Sequence, residues 1–299
     1  MGPTAVGKTD LALYLCKNFP IDLISVDSGL IYKYMNIGTG KLNSLKLLKY
    51  PHRLVNILDP LEKYSALQFK DDALLEIDKI LKLGRIPLLV GGTMLYYKVL
   101  LQGLSNLPPS NLKVQKKILY DIQKEINLTL HLKLQQVDPI SAKMIHPNDH
   151  KRLLRALEVF FISGKRFSDI SYFIKKDFPF SVIQFALRPK NKKWLYNRIV
   201  KRFKNMLDLG FQREMEYLFY RGDLNENLPS MNCIGYKQMW DFFSAKINFI
   251  DMCKHTIIAT MQLAKKQMTW LHNWQGIHWL SGCEIKRSIE KIFKLRACD

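Results

Sequence analysis

Residues Gly2-Pro-Thr-Ala-Val-Gly-Lys-Thr9 carry the spacing G-x-x-x-x-G-K-[ST], which few architectures can accommodate. Gly2 and Gly7 allow a tight turn in which successive backbone N–H groups of the loop point inward at an anion. Lys8 adds a mobile cation, and Thr9 opens a helix with a hydroxyl suited to Mg²⁺. Such a loop grips a diphosphate or triphosphate and normally joins a buried strand to a helix. The helix is plausible over Asp10–Cys16, but only Met1 precedes the loop, so the first strand of the pattern is missing from the sequence. A start placed too far downstream, or a shortened N-terminus, is the expectation.

The following hundred residues alternate between strand and helix patterns. Ile21–Val26 and Ile86–Val90 are short apolar runs of the buried-strand type, and each ends in a polar or glycine-rich turn. Between them Tyr64–Leu83 has helical spacing, stopped by Gly84. This rhythm predicts an α/β fold: a P-loop NTPase-like, doubly wound parallel sheet with ligands beyond the carboxyl ends of its strands. The glycine loop, Asp27-Ser28 and Gly91-Gly92-Thr93 all fall at such ends.

After Pro108-Pro109 the pattern becomes helical and polar until Ser181–Leu187, a run that reads as a strand returning to the sheet. The expected organisation is therefore a first core part over 1–108, a helical insertion over 109–180, and a return to the sheet with a helical C-terminal region over 181–299. Five scattered cysteines without C-x-x-C spacing indicate reduced thiols in a cytoplasmic setting and no zinc site. No apolar run reaches the ~18 residues of a membrane helix, and no secretory signal precedes the loop. The formal charge of +20 either serves a polyanionic partner or reflects a lysine-rich coding bias.

Several residues carry candidate chemistry. Asp27 suits Mg²⁺ binding, proton acceptance or a helix cap. Thr93 suits a substrate contact or a cap of the helix Met94–Lys98. Arg152 and Arg155 share one helical face, either as a diphosphate clamp or in an ion pair with Glu158. The segments Ile234–Gln238 and Ala264–Trp270 mix basic, amide and aromatic residues in the manner of an RNA-binding surface, although Trp270, Trp274 and Trp279 suit a core equally well.

Together these segments resemble the bacterial tRNA dimethylallyltransferases over nearly the whole chain. The resemblance runs through Gly2–Thr9, Leu23–Ser28, Tyr32 with Ile37-Gly-Thr39, Pro51-His-Arg53, Arg85–Tyr96, Ile145–Asp149, Arg152–Val159, Ser163-Gly-Lys165, Gly235-Tyr-Lys237 and Lys266–Trp270. It implies transfer of a dimethylallyl group from dimethylallyl diphosphate, with Mg²⁺, to N6 of adenosine 37 of tRNA. Asp27 would be the general base and Thr93 a contact at the reacting centre. Gly2, Pro3, Thr4, Ala5, Val6, Gly7, Lys8, Thr9 and Arg155 would hold the diphosphate, with Thr9 on the metal. The anticodon stem-loop would be met by Asp27, Ser28, Gly29, Leu30, Thr93, Gln115, Lys151, Arg152, Leu153, Leu154 and Arg155. Asn232, Cys233, Ile234, Gly235, Tyr236 and Lys237 would join them, with Lys265, Lys266, Gln267, Met268, Thr269, Trp270, Leu271 and His272. A monomer without membrane attachment is implied.

The sequence departs from that pattern at Met261 and Gln115, where basic residues are usual, and at Asn36, Gly40 and Asn56, where Asp, Ala and Asp are common. Two other readings share the loop. A small-molecule kinase would turn over ATP with a small acceptor, and a non-catalytic RNA-binding protein would bind tRNA without turnover.

Overall fold

The computed structural model describes residues 1–103, 107–124, 129–170 and 178–281. Cys283, Cys298 and the rest of the expected C-terminal helical region beyond 281 lie outside the described residues. The chain forms two compact units: Met1–Leu100 with the segment from Phe180 onward, and Leu101–Pro179.

In the first unit, Gly7 caps helix α1 (Lys8–Asn18) at φ 108°, in the left-handed region that glycine tolerates. Strand β1 (Ile21–Val26) follows, then the short helix α2 (Ser44–Lys49) and strand β2 (His52–Arg53). Helix α3 (Ala66–Lys82) starts on a capping box, with Ser65 Oγ accepting from Gln68 N–H and Gln68 Oε1 accepting from Ser65 N–H. Strand β3 (Ile86–Gly91) leads into helix α4 (Met94–Gln102). β1 pairs in parallel with both β2 and β3, in the order β2-β1-β3, and Val26 lies opposite Gly91. That register sets the turn after β1 beside the turn after β3, as expected for converging strand ends.

Among its described residues the second unit has helices and connecting turns and no strand. It contains α5 (Leu112–Lys124), α6 (Leu130–Val137), α7 (Pro139–Met144), α8 (His150–Ser163) and α9 (Phe167–Ile170). Its core gathers Ile118, Leu134, Ala142, Leu153, Ala156 and Leu157. Buried Asp138 ties α7 to α9 by accepting from Ser141 N–H, Ser141 Oγ and Ser168 N–H.

Back in the first unit, β4 (Gln184–Arg188) precedes α10 (Lys192–Asp208), α11 (Phe211–Phe219), α12 (Tyr236–Phe243) and α13 (Phe249–His272), and β5 (Ile277–Ser281) follows. Two expectations change here. The run expected to rejoin the main sheet instead pairs in parallel with β5, a strand hidden in a stretch that reads as helical. Met1 occupies the other side of β4, donating to Phe185 O and accepting from Leu187 N–H. Nor is β3 a buried strand: Ile86 through Val90 are each half-buried, because among the described residues β3 is paired only with β1.

A large core packs Ile31, Tyr32 and Met35 against Phe203, Phe211, Met215, Tyr236, Met239 and Met252 of the C-terminal helices. Glu214 organises its edge. The carboxylate accepts from three successive backbone N–H groups, Asn36, Ile37 and Gly38, at 2.7–3.0 Å, and from the Tyr236 hydroxyl at 2.6 Å. Glu214→Ala would leave these donors unsatisfied, and a loss of roughly 2–3 kcal/mol is expected in chemical denaturation. A change below about 0.5 kcal/mol would show that water replaces the carboxylate without cost.

Candidate active site

One cavity of about 480 Å³ opens where the ends of β1 and β3 meet α1, α10 and α13. Lys8, Lys41 and Arg202 line it against a single carboxylate, Asp27. The balance is cationic, as a diphosphate requires. Thr4, Lys8 and Thr9 of the glycine loop line it together with Asp27, Ser28, Gly29 and Leu30.

The glycine loop is wound by positive φ at Gly2, Ala5 and Gly7. Lys8 Nζ donates to Gly2 O at 2.9 Å and Pro3 O at 2.7 Å, so the ammonium lies folded over the loop that it would help to charge. Burial lowers its pKa to about 8, with Asp27 opposing the shift and Arg202 adding to it. Arg198 Nε caps the loop at Ala5 O, 2.7 Å away.

The turn after β1 is built from hydrogen bonds to side chains. Asp27 Oδ1 accepts from Gly29 N–H at 2.9 Å and Leu30 N–H at 3.4 Å. Thr93 Oγ1 accepts from Ser28 N–H at 3.0 Å, and Thr93 N–H is held by Val26 O. Thr93 thus fastens the β3 turn to the β1 turn. The helix-cap reading of Asp27 is not met, because a turn follows it and the next helix starts only at Ser44; Oδ1 instead braces that turn, and the residue still lines the cavity.

Arg202 and Lys41 complete the lining, and neither was singled out from sequence. Their available signals were the i,i+4 spacing of Arg198 and Arg202 on one helix, and a lysine just after Ile37-Gly-Thr-Gly40. Arg202 donates to Thr39 O at 2.9 Å, and burial lowers its pKa while Asp27 opposes. A Cβ on Gly40 would meet the Arg202 guanidinium at 2.2 Å, so glycine at this position leaves that arginine its place. Lys41 Nζ donates to Tyr32 O, Asn36 Oδ1 and Asn56 Oδ1 at 2.6–3.0 Å. The two asparagines that depart from the expected pattern therefore hold one lysine with neutral oxygens in place of carboxylates. Burial lowers that lysine's pKa to about 8, against the pull of Glu214 and Asp27.

The residues expected to meet RNA divide into two groups. In the first unit, Asn232, Cys233, Ile234 and Gly235 line the cavity, and Lys237, Lys265, Lys266, Thr269 and His272 are exposed. Trp270 is half-buried, with the Lys98 ammonium 5.8 Å from its ring centroid, and Met268 is also half-buried. Tyr236, Gln267 and Leu271 are instead buried, and of these Gln267 also lines the cavity. The helical period explains this: Ala264, Gln267 and Leu271 form the inward stripe of α13, while the lysines face out.

In the second unit, Leu153 is fully buried in the core, Leu154 is half-buried against it and Lys151 is exposed. The two arginines are ion-paired, not free as a clamp: Arg152 with Asp149, and Arg155 with fully buried Glu158 and with Pro108 O. Gln115 Nε2 joins the same Glu158 carboxylate. Burial alone would raise the Glu158 pKa, but hydrogen bonds from Arg155, Asn111 N–H and Ser110 hold it below the usual range.

Among the described residues there is no group of three or more His, Cys, Asp or Glu side chains able to hold a metal. Thr9 lines the cavity, and its hydroxyl is an oxygen donor of the kind that magnesium accepts.

Comparison with known proteins agrees with this architecture. The sequence profile described as IPP transferase matches residues 30–274. A tRNA dimethylallyltransferase of Buchnera aphidicola subsp. Acyrthosiphon pisum (strain Tuc7) is 54% identical over 279 residues, 93% of this chain and 91% of that protein. The crystal structure of a full-length tRNA isopentenylpyrophosphate transferase from Bacillus halodurans superimposes with a TM-score of 0.71 at 31% identity, covering 99% of this chain and 93% of that one. A eukaryotic dimethylallyltransferase captured acting on tRNA matches with a TM-score of 0.72 at 25% identity, over 94% of this chain and 72% of that one. With the profile spanning most of its length and a relative more than half identical, the chain belongs to the IPP transferase family.

Proposed function

We propose that this chain transfers the dimethylallyl group of dimethylallyl diphosphate to N6 of adenosine 37 in tRNA, releasing diphosphate. The observation that supports it best is the cavity itself, whose lining brings the cationic glycine loop and the Asp27 turn to one space. The kinase and non-catalytic readings lose ground to the activity named for the relatives.

In this reading the target adenine leaves its stack and enters beside Asp27. N6 attacks C1 of the allyl group as the C1–oxygen bond to diphosphate breaks. Charge develops on the leaving diphosphate, where the loop N–H groups, Lys8 and Arg202 stabilise it. Mg²⁺, bound by Thr9 and the diphosphate oxygens, would supply further neutralisation. The second Asp27 oxygen takes the proton from N6, and Thr93 keeps the turn that carries Asp27 in register. No helix among the described residues is long and apolar enough to cross a membrane.

The test is incubation of the protein with Mg²⁺, dimethylallyl diphosphate and unmodified tRNA, followed by mass spectrometry of the nucleosides. N6-(dimethylallyl)adenosine is the expected product, and intact tRNA binding without it would favour the non-catalytic reading. The exposed pair on α13 gives a second expectation. A Lys265→Ala, Lys266→Ala double variant should weaken tRNA binding about tenfold and flatten its log–log salt dependence by about 1–2. An unchanged salt slope in filter binding would remove these lysines from the RNA surface.

A further inference from the structure

Gln267 is the one amide in the inward stripe of α13, and both ends of that amide are committed. Its Oε1 accepts from Thr4 N–H of the glycine loop at 2.8 Å, and its Nε2 donates to Gly92 O at 2.8 Å. Only 7% of the residue is exposed. The next residue after Gly92 is Thr93, which holds Ser28 and with it the turn bearing Asp27. One side chain therefore spans from the loop assigned to the leaving group to the turn assigned to the proton acceptor. The fit is close: a Cβ on Gly92 would stand 2.5 Å from Gln267 Nε2 and 3.3 Å from Gly2 O.

We propose that Gln267 is a positioning residue for the transfer, setting the phosphate loop against the β3 turn so that diphosphate and Asp27 face the same reacting carbon. The inference rests on the prenyl-transfer reading above and moves Gln267 from the RNA surface to the diphosphate side of the site. Misplacement of reacting groups by about an ångström lowers rates roughly 100-fold, so the effect belongs in catalysis and diphosphate binding.

Three variants separate the two ends of the bridge. Gln267→Met removes both bonds at similar volume. Gln267→Glu retains an acceptor for Thr4 N–H but presents no donor to Gly92 O. Gly92→Ala displaces the amide from the opposite side. Each is assayed for kcat and KM with dimethylallyl diphosphate, for Mg²⁺-diphosphate binding by calorimetry, for tRNA affinity by filter binding, and for melting temperature. Gln267→Met and Gly92→Ala are expected to lower kcat/KM for dimethylallyl diphosphate by roughly 100-fold, with tRNA affinity held within about twofold. Gln267→Glu sets a carboxylate beside the loop and Gly92 O, so it should weaken Mg²⁺-diphosphate binding and lower kcat while tRNA affinity stays within about twofold, a split that a merely structural role would not produce.

Loss of tRNA affinity with diphosphate binding intact would overturn the proposal, as would unchanged kcat and KM in Gln267→Met. Should Gln267→Met not melt cooperatively, Gln267→Glu and Gly92→Ala decide on the same readouts. If the parent protein makes no prenylated adenosine, the functional reading fails, and the diphosphate-binding comparison still tests the bridge.

Discussion

Asp27→Asn is expected to lower the single-turnover prenylation rate by roughly 1,000-fold, or about 4 kcal/mol of transition-state stabilisation. Asparagine is the informative substitution because of what Asp27 already does. Its Oδ1 accepts from Gly29 N–H and Leu30 N–H, and an amide oxygen preserves both bonds. The turn then keeps its shape, tRNA still docks, and the group missing is the oxygen that takes the N6 proton. Binding of tRNA within about twofold of the parent, with the rate lost, assigns the proton to Asp27. Equal losses in binding and rate would make Asp27 a structural cap alone.

Lys8→Met carries the second large effect, expected at roughly 100-fold in affinity for dimethylallyl diphosphate, with tRNA affinity unaltered. The ammonium lies folded on Gly2 O and Pro3 O, so a diphosphate must draw it away from two carbonyls and offer oxyanions in exchange. Anionic oxygens make the stronger hydrogen bonds, which favours that exchange. Methionine retains the length and apolar stem of the side chain and removes only the charge and donors. Isothermal titration with dimethylallyl diphosphate and Mg²⁺ reads the effect directly, and an unchanged dissociation constant would take the loop out of substrate binding.

The two variants bracket the reaction from its opposite sides. One removes the acceptor for the proton that N6 gives up, the other a cation for the diphosphate that leaves. Gln267 joins the two walls, so its variants should disturb the coupling between them and leave tRNA docking alone. That order of effects, with Asp27 acting on rate, Lys8 on diphosphate affinity and Lys265 with Lys266 on tRNA affinity, distinguishes a prenyl transfer site from a kinase fold that merely carries the same loop.

Local chemistry announced much of this protein in advance. Spacing alone placed the glycine loop, α1, β1, α3 and β3, since each rests on residues close together in the chain: Gly7 with a left-handed φ, Ser65 with its capping partner Gln68, short apolar runs with their turns. The convergence of the loop, Asp27 and Thr93 followed from the rule that parallel strands present their carboxyl ends together. Other matters depended on residues far apart in sequence. β5 reads as helical because a half-buried five-residue strand carries little period of its own, and only β4 gives it a partner. Arg202 reaches the cavity from 175 residues beyond Asp27 in number because α10 packs against the glycine loop, as the Arg198 bond to Ala5 shows. Gln267 and Tyr236 look like surface polar groups in a basic motif, yet the helical phase turns them inward to Thr4, Gly92 and Glu214. What the sequence determined by itself was the local turn chemistry and the identity of the reactive groups. Which polar side chains face the cavity, the interior or solvent was decided by tertiary packing, because burial depends on neighbours that the chain supplies from hundreds of residues away.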